Sequence, residues 1–103
     1  MNLTIDTRNS KEVKVILEKE GSVIEEVSLS PNGRAESVLN LLHRALEKSN
    51  TDIQEIKTIT FEKGPGSYTG LKAGVAVANA LSFALNIPIN NLPVESYEVP
   101  VYD

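Results

Sequence analysis

The helical run from Thr69 to Leu85 sets the strongest condition on any fold for this chain, because Lys72 is the only charged residue in it. With Lys72 at 0° on a helical wheel, Val77, Leu81 and Leu85 fall between about 140° and 220° and form the natural core face. The opposite side, which solvent should claim, instead holds Ala76 and Phe83 beside Lys72 and Asn79, with Leu71 and Val75 at its edge. Ala73, Gly74, Ala78, Ala80 and Ala84 fill most of the remainder, so another helix can approach closely, and an apolar patch is left where nothing does. Either this helix is sandwiched inside its own domain or another chain covers its outer face. A chain of 103 residues has few layers with which to cover two faces. The second reading is therefore expected, with Leu71, Val75, Ala76, Asn79 and Phe83 at the interface and Leu41 and Ala45 of the preceding helix beside them.

Upstream, Leu3 and Ile5 alternate with Thr4 and Asp6, a short strand ending at Asp6-Thr7. Two more alternating runs, Val13 to Glu18 and Ser22 to Leu29, are joined around Glu20-Gly21, where glycine supplies the positive φ of a tight hairpin. Val23, Val27 and Leu29 share one face and Glu26 and Ser28 the other, the pattern of a half-buried antiparallel sheet. Ser30-Pro31-Asn32-Gly33 turns into a helix from Arg34 to Lys48, capped by Ser30 or Asn32. Its apolar residues Ala35, Val38, Leu39, Leu41, Leu42, Ala45 and Leu46 spread over an arc of roughly 160°. Thr51-x-x-Gln54 reads as a capping box before a single turn. Ile56 to Phe61 reads as a strand, and Ile87 to Leu92 as a last short one, after Pro88 has stopped the second helix. The order βββαβα implies an α/β fold, a mixed sheet with helices on one or both faces, over residues 1–92. The tail 93–103 carries two prolines and three acidic residues, and no ordered structure is expected for it.

Hydrophobic content of 41% and charged content of 23% fit one soluble globular domain. A net charge of -4 with no run of Lys or Arg argues against a direct grip on a nucleic-acid backbone. There is no cysteine, hence no disulfide or thiolate metal site. The longest mostly apolar stretch, Val75 to Leu85, is too short to span a bilayer, and the N-terminus has no apolar leader, so a cytoplasmic protein without membrane contact is expected.

Gly64-Pro65-Gly66-Ser67-Tyr68-Thr69-Gly70-Leu71-Lys72 lies between a strand and a helix, where backbone N–H groups can hold a phosphate. The spacing fits neither a Walker A loop, whose second glycine would fall at Thr69, nor a Gly-x-Gly-x-x-Gly dinucleotide loop. A tight turn with Ser67 or Thr69 capping the helix is the favoured reading; a positive φ at Gly66 would make Gly66→Val costly to the fold. His43 is the only histidine and cannot assemble a zinc site by itself, and Ser67 has no histidine near it in sequence. Glu18, Glu20, Glu25 and Glu26 read as solvated charge on strands and turns. No catalytic residue, metal ligand or cofactor site is expected.

The stretch from Phe61 to Pro88, FEKGPGSYTGLKAGVAVANALSFALNIP, resembles the Gly-Pro-Gly-Ser-Phe/Tyr-Thr-Gly loop and following helix of the TsaB family, through to its Ile-Pro strand entry. Ile5-Asp6-Thr7 and the Asp52-Ile53 turn match it too. The resemblance covers roughly residues 3 to 92, which is the first half of a usual family member. It implies an actin/Hsp70-like lobe (the ASKHA, ribonuclease H-like class) of βββαβα order with no catalysis of its own. Such proteins pair through N-lobe helices with the related TsaD, which transfers threonylcarbamoyl to an adenosine of tRNA, and the ATPase TsaE joins them. The His-x-x-x-His metal pair of TsaD has no counterpart here. Where the family has Ser after Asp-Thr, this chain has Arg8, which points to a first loop released from nucleotide duty. The family's nucleotide cleft lies between two lobes, and one lobe has no cleft to close.

Two functions follow. The first is a non-catalytic scaffold that binds a TsaD-like protein through its two helices and pairs with its own copy in isolation. The alternative is half of a nucleotide-binding ATPase or transferase site completed by another chain, with Asp6, Thr7, Gly64, Gly66, Ser67, Thr69 and Gly70 contacting phosphate. A glycoprotease is discounted, since neither a metal pair nor a nucleophile–base set is present.

Overall fold

Alternation along the strands decides which face of the sheet is buried. The computed structural model describes residues 1–9, 11–29, 35–92 and 98–99. In it, β1 (Asn2–Asn9), β2 (Glu12–Lys19), β3 (Ser22–Leu29) and β4 (Thr58–Phe61) form one sheet in the order β3-β2-β1-β4. β2 is antiparallel to β1 and to β3, whereas β1 and β4 run parallel. Leu3 pairs with Leu17 and Ile59, and Ile5 with Val15 and Phe61, so these residues share one face with Val13 and Val27, and all are buried. The other face is polar. There the Thr4 hydroxyl donates to Glu18 Oε1 (3.1 Å), and Asn2 Oδ1 accepts from the hydroxyls of Thr58 and Thr60 (2.8 and 3.3 Å).

Helices α1 (Ala35–Lys48) and α2 (Tyr68–Leu85) both pack on the apolar face, closing a single core with Val38, Leu41, Leu42, Ala45, Leu71, Val77 and Ala78. α1 is the crossover that makes a parallel β1–β4 pair possible. The α/β order βββαβα is thus observed, with helices on one face of the sheet.

The β2–β3 hairpin turns at Glu20 and Gly21, with φ of 53° and 82°. Positive φ at both central residues is the type I′ pattern that matches strand twist. Val23 departs from its expected place in the buried set. Leu17 lies opposite Glu25 but Glu18 opposite Val23, so Ile24 is an extra residue. That bulge reverses the alternation and leaves Val23 and Ile24 exposed on an edge strand.

Four boundaries also differ from expectation, the first being β1, which runs on to Asn9 where an end at Asp6-Thr7 is expected. The capping box is Asp52 with Glu55, not Thr51 with Gln54: Asp52 Oδ1 accepts from Gln54 N (2.8 Å) and Glu55 Oε2 from Asp52 N (2.8 Å), opening a 3₁₀ turn at Ile53–Glu55. That turn delays β4 to Thr58. The last strand is reduced to one parallel bridge, Ile59 to Ile89, because Asn90 and Asn91 take φ of 50° and 62° and turn the chain off the sheet edge. The expected cap of α1 at Ser30 or Asn32 lies outside the described residues, as does the tail apart from Glu98 and Val99.

Candidate functional site

Ser67 starts α2 as its N-cap, its Oγ accepting from Gly70 N (3.3 Å) while its own N–H donates to Arg8 O (2.8 Å). Thr69, the other cap candidate, is an exposed residue of the first turn. Gly66, Gly70 and Gly74 recur every fourth residue and all face the end of β1. A Cβ on Gly66 would lie 2.7 Å from Arg8 O and 2.8 Å from Arg8 Cα. On Gly70 it would overlap the Thr7 carbonyl oxygen, and on Gly74 the Thr7 hydroxyl, with Phe61 Cε1 at 2.9 Å. These glycines let a helix lie against a strand. Gly66 does not have the positive φ that would have explained it; Gly64 does, at 113°, ahead of a cis bond to Pro65. Thr7 is 1% exposed, held between α2 and the sheet, so its hydroxyl is turned away from any ligand in the cleft beyond β1.

That cleft is lined by Asp6, Arg8, Asn9, Glu12, Lys14 and Pro65. Its cations are engaged: Arg8 forks onto Asp6 (Nε to Oδ1 3.0 Å, Nη2 to Oδ2 2.9 Å) and approaches Glu62 at 3.5 Å, and Lys14 lies 3.5 Å from Glu12. Burial pushes the Asp6 carboxyl up, but the side-chain and backbone hydrogen bonds from Arg8, the guanidinium charge and Lys14 outweigh it and hold Asp6 below the usual aspartate value. A bidentate guanidinium already paired with a carboxylate is poorly placed to bind phosphate.

The outer side of the two helices is different. Phe83 is 83% exposed and Leu39 48%. Between α1 and α2 runs an apolar groove lined by Leu39, Ala76, Val77, Ala80, Leu81 and Ala84. Of the interface residues expected from the sequence, Ala76 and Phe83 lie on this face and Val75 is half-buried at its margin. Asn79 is half-buried and its amide bonds the main chain of Glu98. Leu41, Ala45 and Leu71 belong to the chain's own core, at 1%, 0% and 0% exposure. The reason for Leu71 is the small-residue ridge Gly70-Gly74-Ala78, which seats on the sheet and turns the adjoining Leu71 inward. Leu81, expected at the core centre, is half-buried on the groove wall. Leu39, Ala80 and Ala84 were not singled out, although Leu39 stands at one edge of the wide apolar arc of α1.

His43 is 76% exposed and meets Glu47 at 3.1 Å. Among the described residues no group of three or more His, Cys, Asp or Glu could hold a metal ion, and no helix is long and apolar enough to cross a membrane.

A family model described as TsaD, tRNA N6-adenosine threonylcarbamoyltransferase, matches residues 18–102. The tRNA N6-adenosine threonylcarbamoyltransferase of Nitrosomonas eutropha is 38% identical over 70% of this chain and 21% of its own length. The tRNA threonylcarbamoyladenosine biosynthesis protein TsaB of Bacillus subtilis is 31% identical over 85% of this chain, and that of Escherichia coli 29% over 84%. The chain spans well under half the length of these relatives, 38% and 37% of the two TsaB proteins. Among solved structures, YeaZ from Pseudomonas aeruginosa superposes with a TM-score of 0.76 at 24% identity, over 99% of this chain and 42% of that one. A second structure, of a protein with similarity to peptidase YeaZ from Pseudomonas aeruginosa, gives 0.72 at 26% identity over 99% of this chain and 43% of that one. The mixed four-stranded sheet with two helices on one face is thus an actin-like, ASKHA-type lobe, and the chain belongs to the family that the TsaD model describes, as a TsaB-like member.

Proposed function

We propose that this chain is a non-catalytic, partner-binding lobe in tRNA threonylcarbamoyladenosine biosynthesis, and that it docks a TsaD-like protein through the outer face of α1 and α2. One observation carries the reading: Phe83, a large aromatic 83% exposed, stands beside Ala76, Ala80 and Ala84 on a helix with almost no charge. Alanines permit close helix approach and an aromatic supplies an anchor. A TsaD-like relative is the natural occupant because both kinds of protein share this family, and a TsaE-like ATPase would join them. Without that partner the same face is expected to pair with its own copy, as one self-complementary patch suffices for a twofold dimer. The work would be cytoplasmic, and the net charge of -4 leaves the grip on tRNA to the partner.

The half-site reading finds less support, since the Asp6–Arg8 pair occupies the cleft and Thr7 is buried. The test is calorimetry and size-exclusion chromatography with a TsaD-like protein from the same source. A complex that forms with the wild type and is lost in Phe83→Glu is expected. No complex, or equal binding by the variant, overturns the proposal. Micromolar binding of ATP and Mg²⁺ to this chain alone would favour the half-site instead.

A further inference from the structure

Phe61 ends β4 at the sheet edge, beyond the Ile59–Ile89 bridge, and among the described residues its peptide groups are taken by a side chain. That side chain is Asn90: Oδ1 accepts from Phe61 N (2.7 Å) and Nδ2 donates to Phe61 O (3.0 Å). The same Nδ2 donates to Glu98 Oε2 (2.8 Å). On α2, Asn79 performs the matching operation on a different peptide. Its Nδ2 donates to Glu98 O (3.0 Å) and its Oδ1 accepts from Glu98 N (2.8 Å). Lys63 Nζ lies 3.7 Å from Glu98 Oε1, which also accepts from Val99 N (3.0 Å). The Glu98 side chain is 11% exposed as a result.

Every polar group of this one residue is therefore read by another element. Its main chain is read by an amide that any residue type would satisfy; its carboxylate is read by an amide donor and a cation that a neutral or shorter side chain would not satisfy. A main-chain contact that any residue can make, joined to a side-chain contact that selects one, is the division of labour by which peptides are recognised. We infer that Lys63, Asn79 and Asn90 form a binding site for a glutamate within a peptide segment, and that this chain fills the site with its own Glu98. Asn79 stands on α2, Asn90 in the turn after the Ile89 bridge, and Lys63 just beyond the end of β4. Asn79, which holds the Glu98 main chain, lies three and four residues from Ala76 and Phe83 on the same side of α2. The inference does not depend on which protein covers the helices.

Side-chain amide signals of Asn79 and Asn90 in ¹⁵N-correlation spectra of the full chain give a direct readout. In Glu98→Ala both amides should shift, while the core signals of β1 and β2 stay in place. In Glu98→Gln the Asn79 amide should keep its position and the Asn90 amide should move, because only the carboxylate has been lost. A blocked six-residue peptide with the sequence of residues 96–101 should restore the wild-type positions of both amides in Glu98→Ala, saturating in the millimolar range. The wild type, whose tethered copy competes at an effective concentration of the same order, should respond at least about twofold less. The same peptide with Gln for Glu should bind at least about tenfold more weakly. Unmoved Asn79 and Asn90 amides in Glu98→Ala would overturn the inference, as would equal binding of the Glu and Gln peptides or none at all. Should Glu98→Ala fail to fold, the site would be a structural support and the inference would equally fall.

Discussion

Gly74 on α2 comes so close to Thr7 on β1 that a methyl group on it would occupy the position of the Thr7 hydroxyl. The same approach continues one turn earlier, at Gly70, against the Thr7 carbonyl. Replacing either glycine by alanine gains about 1 kcal/mol of helix propensity. At Gly70 the obstacle is backbone, which cannot rotate away, and overpacking costs about 1–3 kcal/mol or more. Gly70→Ala should therefore lose stability by about 2 kcal/mol, a fall of roughly 10 °C in Tm for a domain of this size. Urea unfolding checks it; a stabilised variant would mean that α2 stands further from β1.

Thr7 carries the reverse prediction. Its Oγ1 is buried and finds no hydrogen-bond partner among the described residues. A buried hydroxyl without a partner costs about 1–3 kcal/mol. Thr7→Val keeps the shape and removes that cost, so it should raise stability by about 1 kcal/mol in thermal or chemical unfolding. A loss of more than about 1 kcal/mol would reveal a partner that the hydroxyl serves.

Asp6 supplies a pH signature. Its folded pKa lies below the unfolded one, so its contribution to stability is present above the unfolded pKa and is lost as pH falls through the folded value. Arg8→Ala removes the side-chain hydrogen bond and the guanidinium charge that lower it, and leaves burial, the residue-8 backbone N–H and Lys14 in place. The Asp6 carboxyl should then titrate higher than in the wild type. The variant should therefore lose stability relative to wild type as pH rises from the wild-type folded pKa to the unfolded pKa. Carboxyl ¹³C titration of both proteins measures this, and an unmoved Asp6 would remove Arg8 from its control.

Phe83 and Leu71 test the two faces of α2. Phe83→Glu changes a side chain that packs on little within the chain, so its stability should stay within about 0.5 kcal/mol of wild type. Self-association in light scattering should disappear. Leu71→Glu places a carboxylate at a position with 0% exposure, and circular dichroism should show an unfolded chain. The opposite pattern would exchange the faces.

At the hairpin, Glu20 holds φ of 53° without being glycine. Asn is the side chain best suited to that region next to Gly21. Glu20→Asn should stabilise the domain by about 0.5–1 kcal/mol, measured by urea unfolding; a loss would mean that the Glu20 side chain has a role of its own.

Local rules were enough for the elements. Period-two alternation placed the buried residues of β1 and β2, period 3.6 placed both helices, Gly21 marked the hairpin, and Ser67 or Thr69 the start of α2, between which the structure chose Ser67. The long motif from Phe61 to Pro88 was enough for the family. What no local rule contains is the distance between elements. Leu39 and Leu41 stand at opposite edges of one apolar arc on α1, and the helical period treats them alike; only the seating of α1 on β2 and β3 buried Leu41 and left Leu39 at the groove. On α2 a wheel weighted by side-chain size chose Leu81 as the core centre. The sheet instead took the smallest ridge, Gly70-Gly74-Ala78, because that ridge lets backbone meet backbone, and Leu71 went inward with it. The bulge at Ile24 turned Val23 outward through a register that needs β2 to define it. Glu98 found Asn79 and Asn90 across 19 and 8 residues of sequence, a meeting that depends on where the β4 edge and α2 lie in space.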